Sequence, residues 1–538
     1  MQILKGCFFQ ASFGLVKLFW VLLTENLKAS DKVILNTGIL YGRMLITVGI
    51  SLYSTRLILN ALGSTDFGIF NLVAGVIAML SFLNNAMATS TQRFLSFYQG
   101  KNDLSAQRKV FSNSLLLHIL IGIVIVGCLE IAGKFLFEDF LNIPATRMES
   151  AKTVYHFMSL SVFFTIVTVP FTGSLVANEN MLWVAVVSII EVIFKLLIAI
   201  SLTAVSTDRL IFYGILMAAV NAMNLFLYAA FCFKKYDQCT IVGIFKPDLS
   251  FCKELLSFTG WNLFGAVCGL ARTQGLAVIF NLFFGAVVNA AYGIANQVAS
   301  QLTFFSSTLL RAINPQIMKS EGAGQRERML RLAMTASKFG FFLVAVVSIP
   351  CIFEMNAILN VWLDDVPANT VVFCQLILVG ALVNQLTIGV QSAIQATGKI
   401  KFYQMITGTI ILLNLPITYI LLAVGKSAYI GLVSYTVIEL AACSSRLYFL
   451  KHLAGMSIAE YSKRVFAREL IPVSTIITSC YLITTLIDIP NRFILTSAVS
   501  GILFIVSLYF TGLEREEKGL LTNLLKKIPK IKKIAVIS

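Results

Sequence analysis

Four basic side chains stand inside long apolar stretches of the sequence: Arg43, Arg56, Lys195 and Arg272. An ionised group in such a setting is costly, and by default it marks a substrate path, a binding site or an internal ion pair. Acidic groups in comparable positions are fewer: Glu130, Glu191 and Glu439, with Glu354 at the end of a stretch. Arg43 and Arg56 share one stretch, Arg272 lies on a later one, and neither stretch contains a carboxylate. An excess of buried positive charge suits an anion, and a planar guanidinium fork suits two phosphate oxygens. The indicated chemistry is recognition of a pyrophosphate by Arg272 and Arg56, with Arg43 and Lys195 in support. Plainer readings stand beside it. Arg43 lies about two turns from one end of its stretch and can snorkel to the membrane surface. Arg56 can do so at the other end, or pair with Asp66. Glu191 and Lys195 have the i, i+4 spacing of an ion pair on one helix. Lys338 reads as an anchor. Glu191, Glu439 and His118 are the candidates for a group that titrates with a coupling proton or sodium ion.

The elements that position these residues are membrane spans. Hydrophobic residues make up 57% of the 538 and charged residues only 13%, against about 25% charged in soluble domains. Mean hydropathy is +0.84. The apolar runs are long and lack the alternation of a barrel strand, so helices are expected to satisfy the backbone in lipid. At roughly 20 residues per crossing they divide into about fourteen spans, beginning with 37–60 and 67–90 and ending with 470–487 and 492–512. Lys and Arg concentrate in alternate connections, which places those connections in the cytoplasm and both termini with them. The net charge of +16 then reflects topology and contact with anionic lipid heads, and gives no support to nucleic-acid binding. Phe8–Leu23 is apolar but short and broken by Lys17, an interfacial segment in character. The ten cysteines form no C-x-x-C pair and no cluster with histidine, so neither a disulfide framework nor a zinc site is expected.

The spans repeat. Phe67-Gly68-Ile69-Phe70-Asn71-Leu72-Val73 recurs in the second half of the chain as Tyr292-Gly293-Ile294-Ala295-Asn296-Gln297-Val298, which aligns Phe67 with Tyr292. A second echo relates Ala177-Asn178-Glu179-Asn180 to Ala396-Thr397-Gly398-Lys399. The expected organisation is an N-terminal segment (1–36), a six-span lobe (37–233), a polar linker (234–254), a second six-span lobe (255–450), two further spans with their preceding loop (451–512) and a basic tail (513–538). Two such lobes around a shared cleft are the architecture of alternating access. Asn71 and Asn296 either bridge the hairpins or face the cleft, where they would bond sugar hydroxyls. Gly68 and Gly293 beside them suggest close helix packing. Pro170, Gly173, Pro350 and Pro416 interrupt spans and are candidate bending points.

Arg56-Leu57-Ile58-Leu59-Asn60-Ala61-Leu62-Gly63, Asp66-Phe67-Gly68-Ile69-Phe70 and Thr91-Gln92-Arg93-Phe94-Leu95-Ser96 resemble the corresponding segments of bacterial polysaccharide-biosynthesis flippases. These Wzx-like O-antigen flippases share a superfamily with multidrug and toxin extrusion transporters and lipid II flippases. The resemblance covers roughly 37–512 and is best in the first hairpin. It implies an all-α polytopic protein of the bacterial inner membrane that moves an undecaprenyl-pyrophosphate-linked oligosaccharide by switching between inward and outward states. It implies no enzyme activity and no cofactor, and polysaccharide polymerase or chain-length proteins as partners. One chain supplies both lobes, so a monomer suffices. A multidrug or cation extruder is the rival reading, and a lipid II flippase is a close cousin. The extruder wants a buried carboxylate for its cation, whereas here buried base exceeds buried acid. A phosphate loop is absent, since Gly425-Lys426-Ser427 has Ile420 where a glycine is required.

Overall fold

The computed structural model describes residues 29–78, 81–137, 143–205, 208–241 and 247–519. The segment 1–28, with its interfacial reading, and the tail from 520 lie outside the described residues, as do 138–142 of the longest outward connection. The described chain is helical from end to end. The first lobe comprises α1 (Ala29–Ala78), α2 (Ser81–Gly100), α3 (Leu104–Phe135), α4 (Met148–Ala177), α5 (Met181–Ser201) and α6 (Arg209–Lys235). The second comprises α7 (Leu249–Gly322), α8 (Arg326–Phe353), α9 (Met355–Trp362), α10 (Thr370–Gln385), α11 (Ile388–Thr397), α12 (Lys401–Leu412), α13 (Asn414–Ala423) and α14 (Ile430–Ala454). After it come α15 (Ile458–Tyr461), α16 (Ala467–Leu486) and α17 (Arg492–Ser507).

Among the described residues, 11 helices are long and apolar enough to cross a membrane, or 12 if the bent pair α10–α11 counts as one span. The expectation of about fourteen differs for a physical reason. α1 and α7 each run through a glycine at positive φ, Gly63 and Gly285 (φ 77° in both), so each joins two of the expected spans. Glycine is the residue that adopts this backbone without a Cβ clash. α2 carries on from the second of these spans but falls outside the apolar set, because it holds Asn84, Asn85, Thr89, Ser90, Thr91, Gln92 and Arg93. Its inner part packs against the other lobe instead of facing lipid.

The two-lobe repeat is visible in the backbone. Left-handed residues recur at matching places, Gly63 with Gly285, Asn102 with Gly324, and Glu179 with Gly398. Burial follows the register of the first two pairs: Ile69, Phe70 and Val73 are buried, as are Ala291, Tyr292 and Ala295. The expected alignment of Phe67 with Tyr292 is therefore off by three positions: the helix continues past Gly285 without an insertion, and the letters the two segments share do not follow the backbone register. Asn71 corresponds to Gly293 and not to Asn296. Close packing at Gly68 and Gly293 is also corrected. A Cβ added at either meets nothing within 4 Å.

The glycines that do bring helices together are at the other end of the same pair. A Cβ at Gly100 would collide with the Lys319 carbonyl, and one at Gly322 with the Phe97 carbonyl. Gly100 stands to Gly322, and Phe97 to Lys319, in the same register as Gly63 to Gly285, so α2 and the end of α7 cross at a pseudo-twofold axis. Around the crossing, one hydrophobic core runs through both lobes, including Phe94, Leu95 and Val110 from the first and Phe258, Ile317 and Ile394 from the second. Away from the basic connections the cores separate. One contains residues between Ile58 and Val220 only, the other residues between Leu276 and Leu432 only. The molecule is thus joined at its basic end and divided at the opposite end, which makes the interlobe cleft open away from the basic loops.

Candidate functional site

Two latches flank the glycine crossing at the closed end. Glu179, at the turn between α4 and α5, accepts hydrogen bonds from Gln316 Nε2 at 2.6 Å and from Lys319 Nζ of α7. At the repeat-related turn of the second lobe, Arg93 Nη2 of α2 donates to the Ala396 carbonyl at 3.2 Å. The Arg93 guanidinium also lies 4.5 Å from the Phe94 ring centre and 4.7 Å from that of Phe97. Outside these, Lys109 Nζ meets Asp248 Oδ2 at 3.3 Å. The same backbone turn is therefore clamped by a carboxylate contact in one lobe and a carbonyl contact in the other.

The closed end forms the floor of the cleft, and charged residues from both lobes stand above it. Tyr41 of α1 donates to the Phe305 carbonyl of α7 at 2.7 Å, tying the lobes at mid-depth. Just beyond it on α1, Arg43 Nη1 donates to Ser188 Oγ of α5 at 3.2 Å, while its Nε is buried without a partner. Arg311 of α7 lies six residues beyond Phe305, on the stretch that the Tyr41 hydrogen bond ties to α1. Arg311 is exposed to solvent. No ion pair or hydrogen bond to its side chain occurs among the described residues. Glu191 is held by Lys195, Nζ to Oε1 2.6 Å, both half-buried. The α1–α5–α7 group thus contains three bases and one acid.

A second charged group lies within the second lobe. Arg272 Nη1 contacts Glu439 Oε1 of α14 at 2.6 Å, with side-chain exposures of 11% and 1%. Asn384 Nδ2 of α10 donates to Glu439 Oε2 at 3.0 Å, and Arg446 Nη2 approaches it at 3.9 Å. The Arg272 guanidinium stacks 4.4 Å from the Tyr435 ring centre. Arg446 Nη1 also donates to Thr387 Oγ1 at 3.2 Å. The sequence places no carboxylate on the Arg272 stretch, and the structure supplies one from α14, far along the chain.

The sequence-derived residues therefore fall into separate places. Arg43, Lys195 and Glu191 come together, and Arg272 and Glu439 form the other group. Arg56 is exposed toward the open end of α1. Its suggested partner Asp66 is taken by Arg147, whose Nε meets Oδ1 at 2.8 Å. Asn71 is exposed, and Asn296 donates to the Tyr292 carbonyl of its own helix at 2.9 Å. Pro170 is buried in an unbroken α4, and Gly173 sits tight against Thr91 of α2. Pro350 lies in the last turn of α8, where α9 takes over, and Pro416 follows the break between α12 and α13. Lys338 is not a surface anchor but a buried residue paired with Glu517 Oε2 at 2.7 Å. His118 is packed in α3, Nδ1 2.6 Å from the Ser114 carbonyl. Arg311 and Arg446 are not among the residues singled out from the sequence. Both lie just beyond or at the expected span ends, and only their continuation of helical, partly apolar runs could have signalled them.

An all-helical chain of two repeat-related lobes, with a charged cleft between them, is the architecture of a membrane transporter. The fold matches solved structures of that class. A MATE transporter in the straight conformation aligns with a TM-score of 0.68 at 13% identity, over 81% of this chain and 97% of that one. The outward-facing conformation of a multidrug resistance MATE family transporter of the MOP superfamily gives 0.67 at 12%, over 82% and 98%. A MOP superfamily transporter from Pyrococcus furiosus, described as having a binding pocket of reverse polarity, gives 0.67 at 12%, over 79% and 96%. The family model for polysaccharide biosynthesis proteins matches residues 33–321. The chain belongs to that family. It is also 24% identical over 497 residues to the uncharacterized membrane protein EpsK of Bacillus subtilis (strain 168), covering 90% of this chain and 96% of the relative.

Proposed function

We propose that the protein is a flippase for a lipid-linked oligosaccharide carried on a pyrophosphate, of the undecaprenyl type used for O-antigen, capsule or other surface polysaccharide. It works in the bacterial inner membrane with both termini and the basic loops in the cytoplasm, so the present form is open to the outside. The observation that carries this reading is the Tyr41–Phe305 hydrogen bond between the lobes, which brings together the stretches of α1 and α7 that bear Arg43 and Arg311. Two like charges brought together at the floor of a cleft repel, and a bound dianion converts that repulsion into attraction. Holding a pyrophosphate between the lobes would also draw them together, which is what a substrate must do to promote the switch. Arg56, nearer the open end, and Lys195, beside Glu191, extend the basic path. Arg272 is committed to Glu439 and positions α14 against α7, so it is not a free phosphate ligand in this state. If transport is coupled to protons or sodium, Glu191 is the carboxylate in the cleft that such an ion meets first. Polymerase and chain-length proteins remain the expected partners and a monomer the expected unit.

The rival is a multidrug or cation extruder, favoured by the fold of the solved neighbours. Its cation would need Glu191 released from Lys195, and it would enter a cleft group with more bases than acids. A lipid II flippase differs from the main reading only in the glycan. The test is binding of undecaprenyl pyrophosphate and of a quaternary ammonium drug to the purified full chain. Tight binding of the pyrophosphate, weakened at least about tenfold in Arg311→Glu, supports the flippase. Binding of the drug with indifference to pyrophosphate overturns it.

A further inference from the structure

We infer that the ends of α16 and α17 form a separate site for the phosphoryl head of a lipid at the basic side of the membrane. This site lies outside both lobes and stands whatever the cleft carries. A cavity of about 580 Å³ opens there, lined by Lys463, Arg464, Arg468, Arg515 and Lys518 together with Glu460 and Glu514. Its size falls within the roughly 300–1,000 Å³ of small-molecule sites. Five bases against two acids leave it with excess positive charge. Phe510 and Leu513 give it an apolar wall, as a site for a lipid head beside the hydrocarbon region requires. Basic pockets between membrane helices at this depth recognise anionic heads.

The cavity is built rather than incidental. Its first wall is a π-helical turn, Ser462–Phe466, and its second is another, Leu508–Gly512. Such turns are rare and frequently sit at functional sites. The third wall, around residues 514–518, is pinned from beneath. Glu517 Oε2 meets Lys338 Nζ of α8 at 2.7 Å, with Lys338 3% exposed, and accepts the Glu514 amide at 2.8 Å. Arg464 is fixed by Glu460 at 3.0 Å, and Arg468 Nη1 donates to the Thr511 carbonyl at 3.1 Å. Lys463 and Arg515 are exposed and have no hydrogen bond or ion pair among the described residues. They are the two charges free to meet a phosphate.

Phosphoryl heads of two origins reach this side of the membrane, a bilayer phospholipid and a polyprenyl pyrophosphate. The full chain in nanodiscs is analysed by native mass spectrometry with phosphatidylglycerol or phosphatidylcholine, for wild type, Lys463→Gln/Arg515→Gln and Lys451→Gln. Lys451 is an exposed base at the same end. Wild type and Lys451→Gln should retain phosphatidylglycerol over phosphatidylcholine. The double variant should retain it more weakly by about fivefold for each charge removed. Undecaprenyl pyrophosphate is then added as competitor. Displacement of phosphatidylglycerol in a Lys463- and Arg515-dependent way assigns the site to the polyprenyl lipid, and retention assigns it to the phospholipid. Equal retention of both phospholipids by wild type, or unchanged retention by a well-folded double variant, overturns the inference.

Discussion

At the scale of single residues, the protein uses its buried charges in two ways. Arg43 and Arg311 are held with unsatisfied positive charge, whereas Arg272 and Arg446 share the carboxylate of Glu439. The second group is almost dry, with Glu439 1% exposed. Removing one partner of such a pair strands the other, at a cost of about 3–5 kcal/mol. Glu439→Ala should therefore fold poorly, with a large fall in thermal stability read by fluorescence-detected size exclusion. Arg272→Met/Glu439→Leu should recover part of the loss, because it removes the stranded Arg272 and leaves only Arg446, which keeps its bond to Thr387. In contrast, Arg311→Ala should leave stability unchanged and lower pyrophosphate binding. The pairing of Arg272 was illegible in the sequence because its partner stands on a distant helix, and no spacing rule links them. The Glu191–Lys195 pair was legible because i, i+4 spacing on one helix brings side chains together.

At the scale of elements, most helices follow from apolar run length, and their lobes from the repeat. The register did not, since matching letters in Phe67–Val73 and Tyr292–Val298 outvoted the positions that the backbone equates. Positive-φ residues and burial correct it by three positions. Under the proposed alternating access, closure depends on the glycine crossing of α2 and α7. Gly322→Val puts a side chain against the Phe97 carbonyl, a misfit of about 1–3 kcal/mol, or about 5–150-fold in the balance between states. Cysteines at the basic end should become more reactive to a membrane-impermeant thiol reagent in inside-out vesicles. Unchanged reactivity would show that the crossing does not govern closure. Glu179→Gln should act in the same direction and more weakly. At the open end, Asp208 caps α6 and binds Arg147 and Ser150. Burial raises its pKa, but the Ser150 and Arg147 contacts outweigh it and hold the carboxyl below the ordinary range. A depressed carboxylate stabilises the fold above its ordinary pKa and loses that contribution as pH falls through the lowered value. The outer corner of the first lobe should thus loosen only in acid below the usual aspartate range, and Asp208→Asn should remove that dependence in hydrogen exchange.

At the scale of the whole molecule, a single core joins the lobes at the basic end and two separate cores hold them at the other. In the proposed alternating-access cycle this asymmetry corresponds to one of two states, because packed interfaces switch between discrete arrangements. Its counterpart must break the glycine crossing and the Glu179 and Arg93 latches while closing the space around Gly68 and Gly293. The most direct measurement is complementation of a deletion in the host at matched membrane abundance. Surface polysaccharide is assayed after restoring wild type, Arg311→Glu, Arg43→Glu and Arg311→Lys. The deletion should abolish surface glycan, wild type and Arg311→Lys should restore it, and the two reversals should not. Intact surface glycan in the deletion, with heightened sensitivity to cationic drugs, would contradict the flippase and assign the cleft to an extruder.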